Sequence, residues 1–139
     1  MTTLNPYLNF GGNCEEAFQF YKGVFGGEFT SLQRYGDAPG DHSPAEASLV
    51  MHVALPIGGG VMLMGSDRPP AMGPVTSGNN IYIAVFPESE AEAARIFNAL
   101  AIGGQVAVPL EKAFWGATFG MLTDRYGIQW MVNYQGGQA

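Results

Sequence analysis

Two hydrophobic periods alternate along this chain, and their order is informative. Residues 4–10 (LNPYLNF) form a short extended run that Gly11-Gly12 ends. Asn13 then stands where an N-cap belongs, with its side-chain oxygen free to accept an orphan backbone N–H. Glu15 and Glu16 follow in the first turn, where a carboxylate favours the helix dipole. Ala17, Phe20, Tyr21, Val24 and Phe25 recur at helical spacing until Gly26-Gly27 stops them. Residues 28–35 read as a strand, 36–45 (GDAPGDHSPA) as a polar loop, 47–56 as an alternating strand, 57–60 as a turn and 61–64 as its return. A second loop, 66–78 (SDRPPAMGPVTSG), comes next. Then a strand at 80–86, a helix at 88–101, a strand at 105–112 and a hairpin over 118–134 repeat the order.

The repetition survives arithmetic. A shift of 77 residues carries Gly26-Gly27 onto Gly103-Gly104, Phe20 onto Phe97, Ala17 onto Ala94 and Glu15 onto Glu92. A shift of 67 carries Leu55 onto Leu122, Gly60 onto Gly127, Val61 onto Ile128 and Met64 onto Met131. The shifts differ by about the length of the 36–45 loop, so one insertion accounts for both. The expected fold is α+β, with two tandem βαβββ modules in one domain: module 1 over about 1–67, a linker over about 68–79, and module 2 over about 80–139. A unit of that size cannot bury its own sheet face alone.

Composition narrows the partners. Six Lys and Arg stand against twelve Asp and Glu, giving a formal charge of −6. That sign opposes a phosphate backbone, and no basic cluster or basic amphipathic face points to nucleic acid or a membrane surface. No apolar run approaches the length of a membrane span and no signal peptide is visible, so a cytoplasmic protein is expected. Cys14, the single cysteine, has no sequence-adjacent base and reads as a packed residue. No GxGxxG opens a helix after a strand, and neither GxxxxGK[ST] nor a GxSxG elbow occurs.

Three stretches, PYLNFGGNCEEAFQFYKGVFGG at 6–27, HVALPIGGGVMLMGSD at 52–67 and WGATFGMLTDRYGIQWMVN at 115–133, resemble the vicinal oxygen chelate superfamily. That superfamily includes glyoxalase I, extradiol dioxygenases and bleomycin-resistance proteins, and the resemblance is to its PhnB-like branch. It implies curled mixed sheets around a cavity, helices outside, a small organic ligand and a homodimer. It also implies metal ligands on the first and last strands of each module. Those positions fall on Pro6, Ile83, Met64 and Met131. Pro and Ile offer no lone pair and thioethers suit soft ions, so no cofactor is expected and a divalent metal finds no support there.

Within that frame, His52 is the candidate catalytic residue. Leu49, Met51, Val53 and Leu55 form one apolar face, which leaves Ser48, Val50, His52 and Ala54 toward the cavity. A neutral imidazole there serves as a general base or a ligand contact. Tyr7, Asn9, Met62, Met64 and Asp67 extend the candidate wall in module 1, with Gln129, Met131 and Asn133 in module 2. Trp115, with Phe114 and Phe119, offers an aromatic side, and His42 with Asp37, Asp41 and Glu46 a candidate lid. Asp124 and Gly127 read as turn chemistry. Two functions are compatible: a small-molecule binder without the usual metal, or a lyase, isomerase or dioxygenase-type enzyme using His52 with or without a metal.

Overall fold

The computed structural model describes residues 2–136, so Met1 and residues 137–139 of the expected modules lie outside the described residues. Its contacts divide the chain into two compact units, Met1–Thr76 and Ser77–Ala139. The first holds β1 (Tyr7–Phe10), α1 (Cys14–Phe25), β2 (Ser31–Arg34), a short helical turn α2 (Pro44–Ala47), β3 (Val50–Gly58) and β4 (Val61–Asp67). The second holds β5 (Ile83–Val85), α3 (Glu90–Ala101), β6 (Gln105–Lys112), β7 (Thr118–Thr123) and β8 (Gln129–Tyr134). Each unit carries one four-stranded sheet, ordered β1-β4-β3-β2 and β5-β8-β7-β6. The first and last strands of each pair in parallel and the remaining pairs are antiparallel. The βαβββ order therefore occurs twice, and neither sheet closes on itself.

Several boundaries differ from the sequence reading, each for a local reason. β1 begins at Tyr7 rather than residue 4, since Pro6 has no N–H and contributes only its carbonyl, which accepts from the Met64 amide at 3.1 Å. β3 begins at Val50 because residues 44–47 coil into a helical turn, with Pro44 in its first turn and the Ser43 hydroxyl accepting from the Glu46 amide. β4 continues to Asp67, held in register by β1 through the Phe10–Asp67 pair.

Both long helices were expected, but the start of α1 is made differently. Asn13 makes no side-chain cap. The carboxylate of Asp67 at the end of β4 takes its place, one oxygen accepting from the amides of Gly12 and Cys14 at 2.9 Å each. The other oxygen accepts from the Val50 amide at 2.9 Å, so one buried carboxylate ties together β4, α1 and the start of β3. At α3 the cap is local: the Ser89 hydroxyl accepts from the Glu92 amide at 3.0 Å, and the Glu92 carboxylate accepts from Glu88. Gly26 stops α1 at φ 81°, donating its N–H to the Lys22 carbonyl.

Each helix lies on its sheet over a glycine. A Cβ on Gly65 would meet the Phe18 ring at 2.6 Å, and one on Gly120 would meet the Phe97 ring at 2.6 Å. Gly65 pairs with Val53 across β3 and β4, whereas Gly120 pairs with Val132 across β7 and β8. The 67-residue shift maps Val53 onto Gly120 and Gly65 onto Val132, so the two modules keep the vacancy but trade the strand that provides it. The next pairs, Leu55–Leu63 and Leu122–Trp130, correspond directly and are fully buried.

A bulge corrects the expected face of β3. Gln33 pairs with His52 and Arg34 with Val50, leaving Met51 as the extra residue. Val50, expected toward the cavity, is instead 1% exposed, while Met51 is half-buried.

Candidate functional site

The strand alternation sorts the first sheet into two faces. Leu8, Phe10, Val53, Leu55, Leu63, Gly65 and Asp67 lie on the helix side and are buried. By alternation Tyr7 and Asn9, Met62, Met64 and Ser66, and His52 and Ala54 project from the opposite face, which is open at Tyr7 and Asn9 and buried at Ala54 and Ser66. Register aligns Tyr7, Met64, Ala54 and Ser31 in one row across the four strands.

Two of the expected site residues meet directly on that face. The Tyr7 hydroxyl lies 3.1 Å from His52 Nδ1, and the rings stack at 5.7 Å between centroids with 27° between planes. Whichever partner donates, the hydrogen bond fixes the tautomer and assigns Nε2 the complementary role. With Nδ1 bare, Nε2 carries the proton; with Nδ1 protonated, Nε2 is an acceptor. Met64, paired with Tyr7 across β1 and β4, supplies soft apolar surface beside the pair, and Met62 lies two residues away on the same strand face. Asn9 accepts from the Ser66 hydroxyl at 3.4 Å through Oδ1, which leaves its amide N–H groups as donors.

Other expected residues lie elsewhere. Ser48 precedes β3, is exposed, and donates to the Ala45 carbonyl at 3.0 Å as part of the turn. Asp67 is 2% exposed, on the helix side, and bonded to three backbone amides, so its role is structural. Its backbone carbonyl also accepts from the Tyr35 hydroxyl, whose pKa is raised chiefly by burial. His42 bonds the Ala38 carbonyl at 3.2 Å, so the 36–45 loop folds on itself. That loop is tethered through Arg34, which donates to both oxygens of Glu15 on α1 at 2.9 Å and holds its carboxyl below the usual range.

In the second sheet Thr118, Gly120, Leu122, Trp130 and Val132 are buried, which puts Phe119, Met121, Gln129, Met131 and Asn133 on the open face. Gln129 donates to the Ile81 carbonyl at 2.7 Å. Asn133 pairs with Phe119, and its side-chain oxygen is buried with no hydrogen-bond partner. Trp115, half-exposed in the turn before β7, packs against Phe119 at 5.6 Å. Asp124 is turn chemistry as expected: its carboxylate accepts from the Tyr126 and Ile128 amides and from the Trp130 indole.

Of the metal positions implied by the resemblance, Pro6 and Met64 lie in the first unit, Ile83 and Met131 in the second. Register sets Tyr7 against Met64 and Ala84 against Met131, while Ile83 pairs with the buried Trp130. Within each unit, neither the implied residues nor the strand partners of the two methionines, Tyr7 and Ala84, provide the carboxylate and imidazole donors that suit a hard divalent cation. No group of three or more His, Cys, Asp or Glu able to hold a metal occurs among the described residues. Cys14 is no substitute: burial first, then the charges of Asp67 and Glu15, push its thiol pKa far up.

Strand pairing also brings in residues that sequence patterning missed. Gln33 reaches the open face through its pairing with His52. Arg68, just beyond β4, lines a concavity of about 350 Å³ with Asn9, Pro74, Val75 and Thr76. The only sequence signal for it was a lone cation inside a Pro-rich loop.

This architecture has clear relatives. The pattern of the glyoxalase/bleomycin resistance protein/dioxygenase superfamily matches residues 3–132. Protein PA1353 from Pseudomonas aeruginosa is 42% identical and superposes with a TM-score of 0.87, over 97% of this chain and 98% of that one. A Bacillus cereus PhnB protein, titled a putative 3-demethylubiquinone-9 3-methyltransferase, is 27% identical with a TM-score of 0.77 over 96% and 99%. Protein YjdN of Escherichia coli K12 is 29% identical over 94% of this chain and 93% of its own. The chain belongs to the glyoxalase/bleomycin resistance protein/dioxygenase superfamily.

Proposed function

We propose that this protein is a PhnB-like small-molecule binder whose open face in the first module holds an organic ligand without a divalent metal at the family positions. The observation that carries the reading is the Tyr7–His52 hydrogen bond at 3.1 Å, on a face flanked by Met62, Met64 and Asn9. An orientable polar pair set in soft apolar surface is the usual composition of a small-ligand site. In the second module the unpartnered Asn133 oxygen, across the strand pair from Phe119, supports a ligand contact there through a donor group.

The same pair favours a second reading, a lyase, isomerase or dioxygenase-type enzyme. Tyr7 fixes one imidazole nitrogen of His52 and leaves the other as a general base or acid. The methyltransferase title of the Bacillus cereus relative receives no support from these residues, since no glycine-rich nucleotide loop occurs in this sequence.

NMR screening of the full chain against a panel of small polar aromatics separates these readings. Binding is expected to shift the resonances of Tyr7, Asn9, His52 and Met64, with Tyr7→Phe and His52→Ala each weakening it about tenfold. Turnover of a hit that His52→Ala abolishes would favour the enzyme. Hits confined to other surfaces would remove the reading. We also propose a cytoplasmic homodimer, for which light scattering is expected to give twice the chain mass.

A further inference from the structure

Arg68 is an anomaly in an acidic protein. It is half-buried, yet among the described residues it makes no ion pair with a carboxylate. Its hydrogen bonds go to backbone carbonyls, from Nε to Gly73 at 3.3 Å and from Nη2 to Met72. These bonds occupy one edge of the guanidinium and pin the 68–73 turn. The opposite edge, formed by Nη1 and the second Nη2 proton, stays available in the geometry that suits two oxygens of one anion. A guanidinium held against two carbonyls, with no carboxylate among the described residues paired to it, keeps its charge and its free edge for an incoming anion.

The surroundings match that free edge. Arg68 lines the concavity of about 350 Å³ shared with Asn9 and Thr76, and a second of about 310 Å³ bounded by Gly11, Gly12 and Leu49. Asn9 has its oxygen engaged by Ser66, so its side chain offers N–H donors. Thr76 adds a hydroxyl, and Pro74 and Val75 supply an apolar wall. The carboxylate nearest in sequence, Asp67, is buried and bonded to three backbone amides, so it is not placed to pair with Arg68.

We propose that Arg68, with Asn9 and Thr76, forms an oxyanion subsite that takes the carboxylate or phosphoryl end of a small ligand. Asn9 lies two residues from Tyr7 on the same strand face, so one ligand can reach both the Arg68 subsite and the Tyr7–His52 pair. The subsite deepens the binding reading given above, but it is tested without it.

The test uses the full chain and two simple probes, inorganic phosphate and acetate, titrated at constant ionic strength against chloride and followed by amide NMR. Saturable shifts at Gly11, Gly12, Gly73 and Thr76 are expected with at least one probe, and the preferred probe tells a phosphoryl from a carboxylate ligand. Arg68→Gln is expected to weaken binding about tenfold or more, and Asn9→Ala several-fold. Lys112→Gln, which removes an exposed cation of the second unit, is expected to leave anion binding unchanged, and failure of the aromatic screen alone would spare this proposal because its probes are simple anions. Should Arg68→Gln not fold, Arg68→Lys replaces it, keeping the charge but losing the fork, with a smaller loss expected. The proposal is overturned by the absence of saturable shifts with both probes, by an adventitious ion only, or by Arg68 variants that bind as wild type does.

Discussion

Replacing Asp67 tests the most consequential departure of the structure from the sequence pattern. Its two oxygens accept from the amides of Gly12, Cys14 and Val50, each at 2.9 Å, in a side chain that is 2% exposed. Asp67→Ala would leave all three amides without that partner, at a cost of about 3–5 kcal/mol. A unit of this size has a total stability of about 4–11 kcal/mol, so the alanine variant sits near the limit of folding. Asp67→Asn is the better probe. It keeps one acceptor oxygen and turns the other into a donor facing an N–H, costing about 2–3 kcal/mol. Asn13→Ala is the matching control: Asn13 occupies the N-cap position but makes no side-chain bond, so its loss should stay within about 0.5 kcal/mol. Urea unfolding followed by circular dichroism at pH 7 measures both. A large loss for Asn13→Ala beside a negligible one for Asp67→Asn would refute the assignment and restore the local cap.

The remaining predictions use the same logic. Gly65→Ala and Gly120→Ala each drive a methyl into a phenylalanine ring at 2.6 Å, and should cost about 1–3 kcal/mol by thermal unfolding. Phe18→Leu should recover part of the Gly65 loss only, since the Leu8 carbonyl also lies 2.8 Å from the new carbon. Arg34 holds the Glu15 carboxyl below its unfolded pKa, so the pair contributes above the unfolded value and loses that contribution as pH falls through the folded one. Glu15→Gln should thus cost about 0.5 kcal/mol at pH 7, a figure reduced by solvent screening, with the difference from wild type vanishing in acid. Cys14, fully buried with its thiol pKa pushed up, should resist Ellman's reagent at pH 8 until urea unfolds the chain.

The duplicated scaffold was readable because each βαβββ unit writes its own punctuation. The α1 boundaries follow from Gly26 and the acidic first turn, and β6 falls where alternation places it. What stayed hidden depends on pairing across the sheet. Asp67 lies 53 residues from Cys14 in sequence, so no local spacing announces it as a cap. The β3 bulge at Met51 also defeats a strict period of two, which is why Val50 was assigned the wrong face. His52 escaped that error because it lies on the regular side of the bulge, opposite Gln33. Ser48 did not, since Pro44 and the Ser43 cap turned its segment into a helical turn. Arg68 was unreadable for another reason: its significance comes from having no carboxylate partner among the described residues, a property only a folded chain can show.

The central claim is a superfamily scaffold that binds a small molecule without a divalent metal at the family positions. Elemental analysis of untagged protein, followed by thermal shifts with zinc, nickel, manganese and magnesium, tests it most directly. No stoichiometric metal and no cation-dependent stabilisation are expected, because Pro6, Met64, Ile83 and Met131 offer no hard donor. One tightly held metal per chain, lost in His52→Ala, would contradict it.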